Sequence, residues 1–229
     1  MNLLSNQYLI IFAEVVFILG YMVAFFIDHM PWSLRVAGNM LGKFPLSTLR
    51  STQILMVNRF GAAFCFTSAG FLVDAGIRMH DFLLLFAIAW GLLGLASLIY
   101  ILQWPKVFEL LSFHFLGVVS SKHKVSKVKF SFGYAMVNYP FIFNLLGASI
   151  PILSASAFPE FRGLLLQLGF LFNSIASVLL VFVLEPIFMS LISNDQQEEA
   201  DFYHQKFIIS KTLLLFVSSI SGLLGYASI

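Results

Sequence analysis

Charge is scarce in this sequence. Asp, Glu, Lys and Arg together supply 10% of its 229 residues, where an ordinary globular protein carries about 25%. A soluble domain of this length has too much surface to solvate with so few charges. That excludes a soluble enzyme, a nucleic-acid binder and a disordered chain. The net charge of +2 points to no strongly charged partner. Cysteine is nearly absent too. Cys65 stands alone, so it has no internal disulfide partner, and its place in an apolar run makes it a small packing residue. The N-terminus lacks the basic segment and the small-x-small site of a signal peptide, and the apolar stretch behind it is too long for a signal core. A retained first span is expected.

Catalytic signatures are missing as well. There is no phosphate-cradling glycine loop, nucleophile elbow or dinucleotide fingerprint. No helical His-x-x-x-His or Asp-x-x-x-Asp pair supports a metal. The nearest cluster, Asp74, Arg78, His80 and Asp81, reads as loop charges at a helix end and a helix start. No enzymatic activity, cofactor or metal is expected.

What the chain has instead is apolar length. Apolar residues make up 59% of it, enough for about six helices of about 20 residues each. Six runs appear, at 8–27, 46–73, 82–102, 132–158, 163–192 and 207–226. The expected architecture is an all-α polytopic bundle, one transmembrane domain over 1–229, with about six membrane helices. The fourth run contains Pro140 and Pro151 and the fifth Pro186, each a candidate kink. Basic residues orient the bundle. Loops one, three and five hold Arg35, Lys43, Lys106, Lys122, Lys124, Lys127, Lys129, Lys206 and Lys211; loops two and four hold only Arg78 and Arg162. By the positive-inside rule, both termini face away from the cytoplasm.

The third loop is the sizeable one. Its 105–116 stretch, with polar Lys106, Glu109 and Ser112 at every third position, suits a helix lying in the interface. The Lys122–Lys129 cluster that follows is suited to anionic headgroups. The acidic fifth loop, with Asp195, Glu198, Glu199 and Asp201, reads as a solvated linker.

The charges inside the runs are the functional candidates. They are Glu14, Arg50, Arg59 and Glu185, and each would cost at least about 2.5–3.5 kcal/mol near the bilayer centre. Arg59 sits midway along the second run, beside Asn58. Arg50 lies nearer the cytoplasmic end, where snorkelling would serve it. Nine positions separate the two arginines, half a turn beyond two full turns, so they project from opposite sides of one helix. Glu14 lies nearer the outer face, and Glu185 nearer the cytoplasmic face, just before Pro186. Two roles are open: ion pairs that lock helices together, or a cavity where arginine meets an anionic headgroup while glutamates pair or exchange protons. Asn138, Asn144, Gln167 and Asn173 suit inter-helix hydrogen bonds. Ser218-x-x-x-Gly222, Ser221-x-x-x-Gly225 and Ala87-x-x-x-Gly91 permit close helix approach, in a homodimer or within the chain.

Leu34-Arg35-Val36-Ala37-Gly38, Leu46-Ser47, Asn58-Arg59 and Leu72-Val73-Asp74 together resemble, without gaps, a stretch of the Amj family. These are small polytopic bacterial membrane proteins whose namesake is the alternate lipid II flippase. The resemblance implies movement of undecaprenyl-diphosphate-linked saccharides across the bacterial inner membrane. It places Arg35 at the family's Arg-Ile-Ala-Gly position and Arg59 at its mid-span arginine. The family's basic stretch after Ala-Gly shrinks here to Lys43, and Phe60-Gly61-Ala62 replaces a small polar set. Lipid II or another lipid-linked glycan is therefore the expected substrate. Arg35, Lys43, Arg50, Asn58 and Arg59 are its candidate contacts; Glu14, Glu185 and Asp74 are candidates for ion pairing or proton exchange. The alternatives are a small ion-coupled transporter of a soluble metabolite, a non-transporting assembly protein and, third, a lipid-modifying enzyme that depends on Asp74, His80 or Asp81.

Overall fold

The computed structural model describes residues 3–27, 29–118, 139–179, 182–183, 185–193 and 197–228. They are almost wholly helical, and no strand occurs among them. In the order of the chain, α1 spans Leu3–Ile27, α2 His29–Met40, α3 Phe44–Asp74, α4 Met79–Leu102 and α5 Trp104–Leu116. Then come α6 at Tyr139–Ala157, a 3₁₀ turn at Pro159–Phe161, α7 at Arg162–Leu179, α8 at Glu185–Ser193 and α9 at Gln197–Ala227.

Among the described residues, four helical segments are long and apolar enough to cross a membrane: the α1–α2 stretch from Gln7 to Met40, then α3, α4, and α9 from Glu199. Lipid offers no partner to an open backbone, so a run that enters the bilayer stays helical until it leaves. The fourth run holds the shorter α6, and the described residues of the fifth include α7 and α8. Pro151 lies inside α6, and Pro186 is the second residue of α8.

Packing is set by small residues, because lipid supplies no hydrophobic force to press helices together. At the α1–α3 crossing, a methyl on Gly20 would sit 2.8 Å from the Cys65 backbone nitrogen, and one on Gly61 would sit 2.7 Å from that of Ala24. The α4–α9 seam uses the motifs noted above. A methyl on Gly222 would meet the Ala87 side chain at 3.1 Å, and Ser219 Oγ donates to the Ala87 carbonyl at 2.7 Å. Ala87, Gly91 and Gly222 thus join two helices of one chain. Beneath the crossings lies an aromatic core of Phe17, Tyr21, Phe82, Phe86 and Trp90, in which Trp90 Nε1 donates to Tyr21 Oη at 2.8 Å.

Polar residues survive in the bundle by bonding to their own helix. Ser51, Ser149 and Thr212 each donate to the carbonyl four residues earlier. Left-handed backbone falls at three glycines among the described residues: Gly42 between α2 and α3, Gly76 between α3 and α4, and Gly117 just after α5. The 105–116 stretch is helical, within α5. One face of it, Trp104, Phe108, Leu111 and Leu116, is buried in a second core with α2, α4 and α9.

Candidate functional site

Arg59 stands at the centre of α3, about 23 Å of helix from either end at 1.5 Å per residue. Its side chain is exposed, among the exposed apolar side chains of Leu55, Met56 and Phe60. Thr52, Ala63 and Thr67 share its face and are exposed too. Among the described residues, no hydrogen bond or ion pair to Arg59 is found. On α3 the small residues Gly61, Cys65 and Ala69 turn inward, while the mid-span Arg59 is exposed.

The other sequence candidates are dispersed. Arg50 is exposed and donates to Gln53 Oε1 at 2.9 Å, on the opposite side of α3 from Arg59. Asn58 is half-buried and engaged by neighbours. Lys43 is exposed just before α3. Arg35 is half-buried in α2, its guanidinium carbon 5.9 Å from the Trp32 ring centroid. Glu14 is half-buried, and the charge that bears on it is the Asp81 carboxylate, not an arginine. Asp74 forms an ion pair with Arg162, which ties the end of α3 to the start of α7. The Glu185 side chain, the Asn173 side chain, Asn138 and the Lys122–Lys129 cluster lie outside the described residues. Among the described residues, no group of three or more His, Cys, Asp or Glu side chains is placed to hold a metal.

A polar cluster that the hydropathy reading missed lies buried where α2, α4, α5 and α9 meet. His29 Nε2 lies 2.8 Å from Ser97 Oγ. Ser33 Oγ donates to the His29 carbonyl at 2.8 Å, receives the Tyr100 hydroxyl at 2.6 Å and lies 2.7 Å from His204 Nε2. Trp104 packs its ring 4.6 Å from that of His204 and donates Nε1–H to Asp201 Oδ1 at 2.8 Å. The second Asp201 oxygen accepts from Gln205 at 3.3 Å. About two helical turns beyond His204, Lys211 Nζ donates to the Phe25 carbonyl at 2.6 Å and lies 4.5 Å from the Phe141 ring centroid.

These placements correct two expectations. Asp201 was assigned to a solvated linker and Lys211 was counted with the fifth loop, yet each is only 1% exposed. The reason is that α9 starts at Gln197, well before the apolar run. Asp201, His204, Gln205 and Lys211 therefore ride on a continuous helix. A carboxylate and an ammonium buried this deeply are tolerable only with partners. Asp201 has two N–H donors, and Lys211 has a carbonyl in the last turn of α1, where the helix dipole favours a cation. The available signal was spacing: His29 with Ser33, Ser97 with Tyr100 and Trp104, and Asp201 with His204 and Gln205 all fall at three or four residues.

The structure thus separates two polar features. One is the exposed Arg59 guanidinium at the middle of α3, and the other is an enclosed network at one end of the bundle. No family model, curated protein or solved structure matches the chain.

Proposed function

We propose that this protein is a bacterial inner-membrane flippase for a lipid-linked saccharide with a polyprenyl diphosphate carrier, lipid II or a related glycan. The observation that carries the reading is Arg59: an ionised group at the midpoint of a long apolar helix, turned outward between Leu55, Met56 and Phe60. An arginine there is costly unless an anion comes to it. The anion that can arrive from the lipid side is one whose own tail remains in lipid. A diphosphate suits the guanidinium fork, which engages two oxygens at once. The resemblance of 34–74 to the Amj family supports the same substrate class.

In this reading Arg35 and Lys43 collect the diphosphate at the cytoplasmic foot of α3, where basic residues concentrate anions. The headgroup then passes along the outer face of α3 by way of Thr52, Arg59 and Thr67. The prenyl tail never leaves the bilayer, so no enclosed passage as wide as a sugar is required. The reading takes α6 and α7 as two further crossings, making six, and places both termini outside the cytoplasm. The test is complementation of a strain stripped of its lipid II flippases, repeated with an O-antigen reporter. Growth in either arm that is lost with Arg59→Ala supports the reading. Uptake of a soluble metabolite into proteoliposomes without lipid-linked sugar would replace it with the ion-coupled transporter.

A further inference from the structure

Arg59 belongs to a line of residues that runs to the end of its helix. Thr52, Arg59 and Phe66 recur at seven-residue steps, which drift by only about 20° each around a helix. Gly70 and Asp74 follow Phe66 at four-residue steps, so one side of α3 carries all five. Two of them are met by the same neighbouring helix. The Phe66 ring lies against Gly169 of α7, 3.5 Å from where a methyl on that glycine would sit. Asp74 pairs with Arg162, the first residue of α7. The two helices therefore run antiparallel over the second half of α3. Before Phe66 they part. There, among the described residues, α7 packs on α6 and has no extensive contact with α3. Thr52, Arg59 and Ala63 are left exposed on α3, and Leu171, Ile175 and Val178 on α7.

We propose that α7 is the outer gate of the headgroup path along α3, closed in this structure at Phe66–Gly169 and latched at Asp74–Arg162. The gate rests on the flippase reading, in which the Asp74 end of α3 is the non-cytoplasmic one. A diphosphate reaches Arg59 along the uncovered half of α3, and its way out is crossed by α7, first at Phe66 and again at Asp74. Thr67, beside Phe66, lies on the rim of the same contact, so a headgroup leaving Arg59 meets α7 there. The two closures differ in kind. An aromatic ring against a helix backbone seals by contact alone. The ion pair is a latch: both side chains are half exposed, and a pair so placed holds weakly, as a contact that opens in every cycle must. Between the closures, a side chain at Gly70 would meet open space, so they are separate layers and not one packed seam. The firm packing of α7 is on α6, where a methyl on Gly169 would sit 2.9 Å from the Gly147 carbonyl oxygen. The helix is thus anchored on α6 and only clipped to α3, and the clip is what opens.

The test uses the full chain in lipid vesicles, with Cys65→Ser, Ala75→Cys and Gly163→Cys; the two new cysteines are exposed and adjoin the latch. With spin labels on both, the distance between them should lengthen when Asp74→Arg sets two arginines against each other. It should return when Arg162→Asp is added. A distance that Asp74→Arg leaves unchanged overturns the latch. Transport is read separately, with dye-labelled lipid II in the vesicles and dithionite outside to bleach what has been flipped. Joining the two cysteines with a short bis-maleimide should stop flipping, while a monofunctional maleimide leaves it running. Flipping that continues in the joined protein overturns the gate, and so does equal loss with the monofunctional reagent. Flipping that is absent from the untreated protein, or that survives Arg59→Ala, refutes the flippase reading. The gate then falls with that reading, while the latch stands or falls on the spin-label distances alone.

Discussion

Two cations in this chain occupy opposite situations. Lys211 is enclosed and satisfied, its ammonium on the Phe25 carbonyl and against the Phe141 ring. Arg59 is outward and receives no such contact among the described residues. Lys211 therefore belongs to stability. Lys211→Met removes a charge-assisted bond worth about 1.5–3 kcal/mol and should lower the thermal unfolding midpoint in detergent; an unchanged midpoint would contradict that role. Asp201 behaves alike. Trp104→Phe strips one donor from a buried carboxylate at a cost of about 1–3 kcal/mol. Adding Asp201→Asn should return part of the loss, which a double-mutant cycle measures directly. If the two losses simply add, the bond between them contributes nothing.

Among the elements, the long apolar runs were the legible part. The runs at 46–73 and 82–102 reappear as Phe44–Asp74 and Met79–Leu102, because a helix in lipid has nowhere to stop. The polar helices were not legible. His29–Met40 and the first turns of α9 carry too many polar groups to register as spans, and averaging over a span-length window erases the three- and four-residue spacing of Asp201, His204 and Gln205. The outward turn of Arg59 was hidden for a different reason. Leu55, Met56 and Phe60 beside it are as apolar as the residues facing the core, since lipid and protein interior demand the same side chains. The side of a membrane helix that turns inward is told better by its small residues. At Gly61 and Gly20, where backbones nearly touch, substitution by alanine should cost about 1–3 kcal/mol through overpacking. At Gly70, with open space around it, alanine should be neutral or favourable by up to about 1 kcal/mol. Folded yield from membranes, scored by size-exclusion profile, ranks the three; equal tolerance would contradict the α1–α3 crossing.

As a whole molecule, the protein keeps its enclosed polar network at the end where α2, α5 and the start of α9 meet, and its exposed Arg59 guanidinium halfway along α3. In the flippase reading, which places both termini outside the cytoplasm, this is the cytoplasmic end. Cysteines introduced singly at Lys43 and Gln103, with Cys65→Ser, should be shielded from an impermeant thiol reagent in intact cells, and one at Asn2 should react. The opposite pattern would invert the direction assigned to headgroup movement. The claim on which the account most depends is that an outward, mid-membrane guanidinium handles the diphosphate of a lipid-linked saccharide. Complementation by Arg59→Ala, Arg59→Lys and wild type, at matched membrane levels in cells relying on this protein alone, tests it most directly. The account predicts loss of growth with alanine and partial rescue with lysine, which keeps the charge but lacks the fork. Full growth with Arg59→Ala would contradict it.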